Sequence, residues 1–252
     1  MRVLILGGYG VFGGRLARLL IQGNIHTIIA GRNHRKACAF IAEFGGEPRV
    51  IDLGMDLSPI ADANPDLVVD AAGPFQAYNH DPYKVARFCI RHRINYLDFS
   101  DDADFTAGIV ALNSEAVAAG CFALSGASSI PAISAAAVRT LSEGLSHLLL
   151  IETTIVPGNR AARGRSVAAS ILRQAGAPLM LWRGGVWRAH RGWTDARMIS
   201  LGPDLKRWAN LIGAPDLRLF PPAFRARSVL FRAGLELGLM QWGLTALAYL
   251  RG

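Results

Sequence analysis

Seven residues near the N-terminus, Gly7-Gly8-Tyr9-Gly10-Val11-Phe12-Gly13, carry the clearest chemical signal in the chain. They follow the apolar run Val3-Leu4-Ile5-Leu6 and open a stretch with helical spacing. The pattern fits G-x-G-x-x-G through Gly8, Gly10 and Gly13, and G-x-x-G-x-x-G through Gly7, Gly10 and Gly13. Backbone without side chains can turn sharply there, approach a pyrophosphate and pack its helix closely on the strand. The free N–H groups and dipole of that helix then attract phosphate charge. The chemistry this predicts is dinucleotide binding, with Tyr9, Val11 and Phe12 filling the cradle between the glycines. A P-loop is excluded, because Gly14-Arg15 stands where Lys-Ser/Thr would be needed.

The choice of nicotinamide cofactor is read at the end of the second strand, where an acidic residue would bind the ribose 2′-hydroxyl of NAD. The residues there are Ala30-Gly31-Arg32-Asn33, without a carboxylate. Arg32, with His34, Arg35 and Lys36 beside it, can instead pair with a 2′-phosphate. This predicts NADP over NAD, against the alternative of a solvated basic helix start. Two more strand ends point to the same crevice. Asp52-Leu53 ends the third strand toward the adenine, and Ala72-Gly73-Pro74 ends the fourth where backbone approaches closely.

Polar residues cluster after the later strands. Gln76, Tyr78 and His80 follow the fourth, Asp98, Ser100, Asp101 and Asp102 the fifth, and Ser128 and Ser129 the sixth. Paired carboxylates can raise one pKa into the range of an acid or base, so Asp98, Asp101, Asp102 and His80 are the catalytic candidates. Gln76, Tyr78, Ser128 and Ser129 are candidate substrate contacts, and Arg160 and Arg163, with Arg165, can clamp a substrate carboxylate. Helix capping is the competing role for Asp101, Asp102 and Ser129. A surface-loop position competes for His80, and a solvated basic loop for the arginines. No tyrosine has Lys four residues later, so a Tyr-x-x-x-Lys proton donor is excluded. The cysteines are too scattered for a metal cluster, and no metal is expected.

These residues need elements to position them. Short apolar runs recur at Val3–Leu6, Thr27–Ala30, Arg49–Ile51, Leu67–Val69, Asn95–Leu97 and Phe122–Leu124, alternating with helical spacing at Phe12–Ile21, Arg35–Phe44, Pro82–Arg91 and Phe105–Ala119. The alternation predicts an α/β fold, a Rossmann-type doubly wound parallel sheet. Near residue 145 the pattern changes. His147–Val156 reads as a longer strand, followed by Gly/Arg-rich loops around short strands. The expected organisation is a nucleotide domain over 1–145 and a second, smaller α+β region over 146–252 that shapes a substrate or oligomer surface. From Arg225 to Leu250 only Arg225, Arg227, Arg232 and Glu236 are charged, which reads as a final apolar helix with Gly234, Gly238 and Gly243 suited to close packing.

The chain has 252 residues, 51% of them hydrophobic, which excludes a disordered protein. Its net charge of +8 is uneven: residues 151–252 hold 15 Lys and Arg against 5 Asp and Glu, whereas residues 1–150 are net −2. An anionic small-molecule substrate suits the basic part. Nucleic acid is not expected, because the arginines are scattered and no recognised module is present. The apolar end predicts a homodimer or a further C-terminal segment to cover it, with peripheral membrane contact as the alternative. Three separated cysteines and an N-terminus without a signal-peptide core predict a cytoplasmic protein.

Taken together, Leu6–Gly13, Ala30-Gly31-Arg32, Asp70–Gln76, Asn95–Asp98 and Ser125–Pro131 resemble the saccharopine dehydrogenase/reductase-like NAD(P)-binding family over residues 1 to about 140. A thinner likeness continues at Pro157-Gly158-Asn159 and Arg163-Gly164. The resemblance implies a Rossmann domain, a nicotinamide cofactor and hydride transfer at a secondary amine or imine between amino acids. An imine arrives as an activated electrophile and needs orientation more than a dedicated acid. The rival reading is a non-catalytic NADP-binding protein acting at a membrane or partner surface, since fold does not dictate function.

Overall fold

The computed structural model describes residues 1–75, 81–161 and 164–251. Gln76, Tyr78, His80 and Arg163 lie outside the described residues. The chain forms two compact units, one of residues 1–100 and 105–128, the other of 101–104 and 129 onward.

The first unit holds six strands, β1 (Arg2–Leu6), β2 (His26–Gly31), β3 (Glu47–Val50), β4 (Leu67–Asp70), β5 (Asn95–Asp98) and β6 (Ala123–Leu124). All pair in parallel in the order β3-β2-β1-β4-β5-β6. This is the doubly wound order whose switch point lies between β1 and β4. Alternate residues feed two cores: Leu4, Leu6, Ile28 and Val68 one, Val3, Ile5, Ile29 and Val69 the other. That two-sided burial explains why the strands read as unbroken apolar runs. Helix α1 (Val11–Gln22) brings Gly13, Gly14 and Ala17 against the sheet, and α2 (His34–Phe44) packs Phe40 and Ile41 on the same side. Helices α3 (Ser58–Asp62), α4 (Lys84–Arg91), α5 (Ala103–Gly108) and α6 (Asn113–Ala119) complete the run of elements.

The second unit has α7 (Ser134–Leu141), β7 (Ile151–Ile155), α8 (Arg165–Gln174), β8 (Pro178–Arg183), β9 (Val186–Arg191), β10 (Thr194–Ser200), β11 (Lys206–Leu211), α9 (Asp216–Phe224), β12 (Val229–Ala233) and α10 (Gly238–Leu250). Its mixed sheet runs β10-β11-β12-β8-β9, with β7 pairing β12 in parallel. Residues 129–145, read with the first domain from sequence, group with this unit, because Ile130, Ala135 and Val138 pack on the core of Leu217, Phe220 and Phe231.

The expected single helix over 225–250 does not form. Val229–Ala233 is a strand with every residue buried, and Arg232 within it is offset by Glu152 at 2.7 Å and Asp195 at 3.0 Å. Gly234 is required for close approach to the Trp208 carbonyl, so it is a strand-end glycine and not a helix-packing one. Gly238 and Gly243 face open space within α10. Among the described residues no helix is long and apolar enough to cross a membrane.

Candidate cofactor site

The turn between β1 and α1 is built by backbone crowding. Gly7 has φ +71°, and a Cβ there would stand 2.9 Å from the Ala71 carbonyl oxygen. A Cβ on Gly13 would lie 2.9 Å from the Gly7 carbonyl carbon, so only glycine lets α1 start this close to the strand. Gly8 is closed in by the Ile5 carbonyl. Gly10 is different. It is exposed, its backbone is extended (φ −77°, ψ −179°), and the nearest atom to an added Cβ is the Gly7 oxygen at 3.0 Å.

Gly10 is the N-cap of α1 and supplies no side-chain bond to the first turn, which also has no acidic residue. The first N–H groups of a helix have no intrahelical partner. An uncapped N-terminus behind a glycine turn therefore fits a pyrophosphate, with Val11, Phe12 and Gly13 supplying the donors. Val11 is partly exposed and Phe12 is exposed beside it.

At the end of β2, Arg32 is exposed and makes no ion pair among the described residues. Asn33 caps α2, its side-chain oxygen accepting the Lys36 N–H at 3.0 Å. The first turn of α2 holds no acid, so Arg32, His34, Arg35 and Lys36 form an uncompensated basic group at a helix N-terminus. Such a placement opposes the helix dipole unless an anion joins it. Beyond β3, exposed Asp52 accepts the Gly54 N–H at 2.9 Å, and Leu53 packs on the core while its carbonyl accepts from Lys84 at 3.3 Å. After β4, Asp70 accepts the Ala72 N–H at 3.0 Å, holding the turn into Gly73 and Pro74.

At the end of β5, Asp98 is set apart from the acidic loop that follows it. Asp98 is wholly buried. One of its oxygens accepts from Ser100 N at 2.9 Å, Gly126 N at 3.0 Å and Ser125 Oγ at 2.8 Å, which ties the ends of β5 and β6 together. Burial, not a neighbouring carboxylate, pushes its pKa up, and these donors oppose the shift. Asp98 thus braces the strand ends. Asp101 and Asp102 belong to the segment that groups with the second unit, as does Asp104, which pairs with Arg218 at 2.9 Å. Ser128 ends the first unit half-buried, Ser129 opens the second exposed, and Arg160 is exposed in the loop after β7.

Sequence reasoning missed the supports. Ser125 and Gly126 meet Asp98 from 27 and 28 residues away, and no local pattern announces that. In the second unit, buried Asp216 accepts from Ser134 Oγ at 3.0 Å, while its other oxygen has no hydrogen-bond partner among the described residues. Burial raises its pKa to about 6.

Residues 3–124 match the family model of the saccharopine dehydrogenase NADP binding domain. Among solved structures, apo histidine-tagged saccharopine dehydrogenase (L-Glu forming) from Saccharomyces cerevisiae superposes with a TM-score of 0.67 at 18% identity, over 92% of this chain and 54% of that one. UDP-N-acetylglucosamine 3-dehydrogenase GnnA from Acidithiobacillus ferrooxidans gives 0.50 at 13% identity, over 94% and 68%. An oxidoreductase from Agrobacterium radiobacter, solved with NAD+, L-tartaric acid and magnesium, gives 0.50 at 13%, also over 94% and 68%. Likeness at these identities shows the fold. The chain spans about half the length of the yeast enzyme. The comparison with curated proteins found no match.

Proposed function

Since residues 3–124 match the family model of the saccharopine dehydrogenase NADP binding domain, we propose that the chain works as an NADP-dependent oxidoreductase acting at a C–N centre, an imine or secondary amine, of an anionic, amino-acid-like substrate. The observation that carries the reading is the uncapped α1 N-terminus behind its glycine turn, with exposed Arg32, which makes no ion pair among the described residues, at the end of the neighbouring strand. Bound NADPH supplies a hydride. The chain's own residues hold the pyrophosphate at Gly10–Gly13, hold the 2′-phosphate at Arg32 and keep the strand ends aligned through Asp70 and Asp98. Asp101 and Asp102 are the candidates for acid–base work and Ser128, Ser129 and Arg160 those for substrate contact, and a cytoplasmic setting suits the three free cysteines.

Two measurements test this. Arg32→Ala is expected to weaken NADPH binding about 10- to 150-fold, the loss of one charge-assisted phosphate contact of about 1.5 to 3 kcal/mol, and to leave NADH binding unchanged. Equal losses for both cofactors would reject Arg32 as the phosphate ligand. For the reaction, NADPH absorbance is followed with amino acids and oxo acids in pairs. Turnover is expected only when both are present, and NADPH binding without turnover by any pair would reject the enzyme reading.

A second reading, a non-catalytic NADP-binding protein at a membrane or partner surface, is favoured by α10. This helix turns its polar residues inward. Gln241 and Thr245 are buried and bonded to Asn210, while Leu239 is 89% and Leu250 85% exposed. Trp242, also exposed, lies 5.3 Å from the Trp208 ring of β11. An apolar outward face on a net +10 segment suits an anionic lipid surface. Flotation with phosphatidylcholine vesicles, with and without phosphatidylglycerol, is expected under this reading to recover the protein only with the anionic lipid, and Leu239→Glu to abolish recovery. A dimer by light scattering that Leu239→Glu dissociates would assign the face to a second copy.

A further inference from the structure

The tyrosine of the glycine turn does more than fill a variable position. Tyr9 is half-buried against the core that holds Ile5, Ala17 and Ile29, and its ring lies across Gly31, the last residue of β2. A Cβ on Gly31 would stand 2.6 Å from Tyr9 Cζ and 2.7 Å from Cε1, separations that no side chain can hold. The Tyr9 hydroxyl accepts the Asn33 N–H at 2.9 Å, and Asn33 in turn caps α2 through Lys36 N. One phenol therefore closes the end of β2 and ties down the turn that carries Arg32.

We infer that Tyr9 and Gly31 together set the cofactor preference of this site. The inference rests on the reading that the glycine turn holds NADP. An acidic side chain at the end of the second strand is what selects NAD, because it accepts from the ribose 2′-hydroxyl and repels a 2′-phosphate. Here the Tyr9 ring occupies the volume into which a side chain at position 31 would project, so a carboxylate cannot be accommodated while the ring stays in place. The same ring, through Asn33, keeps the backbone on either side of Arg32 in the conformation that opens α2. Exclusion of the acid and presentation of the cation are thus two effects of one residue.

The test is a double-mutant cycle on the whole chain, with NADPH and NADH titrated against wild type, Tyr9→Ala, Gly31→Asp and the double variant, and folding followed by circular dichroism. Gly31→Asp alone is expected to weaken both cofactors, because the new side chain expels the ring and frees the Asn33 turn. The double variant is expected to bind NADH at least tenfold more tightly than either single variant and to bind NADPH more weakly than wild type. Tyr9→Phe, which keeps the ring and loses the hydroxyl, is expected to lower NADPH affinity about fivefold and leave NADH unchanged. If Gly31→Asp fails to fold, recovery of a cooperative thermal transition in the double variant supports the steric block, and failure to recover overturns it. Gly31→Asp gaining NADH as fully as the double variant, or additive effects across the cycle, would also overturn the inference. Failure of wild type to bind NADPH at all would instead reject the reading beneath it.

Discussion

Gly10→Val is expected to abolish NADPH binding, by more than about 100-fold, in a protein that still folds. The expectation separates Gly10 from its neighbours. At Gly7 and Gly13 an added Cβ runs into backbone within the turn, and Gly7 also has φ +71°, so substitution there damages the fold. At Gly10 the backbone is extended, a conformation valine adopts readily, and the only close atom is the Gly7 oxygen at 3.0 Å. The added side chain costs about 1 to 2 kcal/mol, from that tight contact and from valine's poor standing at an N-cap, which lowers Tm by several degrees without unfolding the chain. It does occupy the space over the uncapped first turn of α1, where the pyrophosphate must approach to reach the free N–H groups. Circular dichroism and cofactor titration on the same sample decide the matter. A folded variant that keeps its NADPH affinity would make the turn structural only.

Asp216 is expected to make the protein less stable as pH rises from about 4 to about 7. Its carboxyl is wholly buried at the start of α9, with Ser134 bonding one oxygen and the other unpartnered among the described residues. Burial raises its folded pKa to about 6 from an ordinary value of 3.8. The folded protein thus holds a proton that the unfolded chain has already released, and its stability falls through that window with increasing pH. The size follows from the shift, about 3 kcal/mol in total. Urea unfolding of wild type and Asp216→Asn between pH 4 and pH 7.5 reads it directly, because the asparagine variant lacks this titration. The stability difference between the two should move toward the variant by about 3 kcal/mol as pH rises. Parallel curves would show that Asp216 ionises in the folded protein as it does in water.

The first unit is the part of this protein that its sequence determines by itself. Strands β1, β2 and β4 lie where the apolar runs place them, because strands covered on both faces need continuous apolar side chains; the edge strands β3 and β6 are only partly covered and match their runs to within two residues. The glycine turn is equally local: Gly7, Gly8 and Gly13 are needed for contacts within a few residues or with an adjacent strand, and spacing alone reveals them. Arg32 is legible for the same reason, as the residue following β2. The second unit is less legible. Residues 225–250 look like one apolar segment, yet β12 and α10 divide it, because Val229–Ala233 finds strand partners in β7, β8 and β11 that are distant in sequence. Gly234 closes against the Trp208 carbonyl, 26 residues away along the chain. The tertiary structure also decided the roles of the carboxylates. Asp98 ends β5 next to a loop rich in acids, but its bonds to Ser125 and Gly126 and its loss of water make it a brace between strands. Tyr9 acquires its place over Gly31 and Asn33 only when β1 and β2 lie side by side. Residue type and short spacing dictate which segments can form strand, helix or turn. Which polar groups lose their water, and what replaces it, depends on neighbours that only the folded chain brings together.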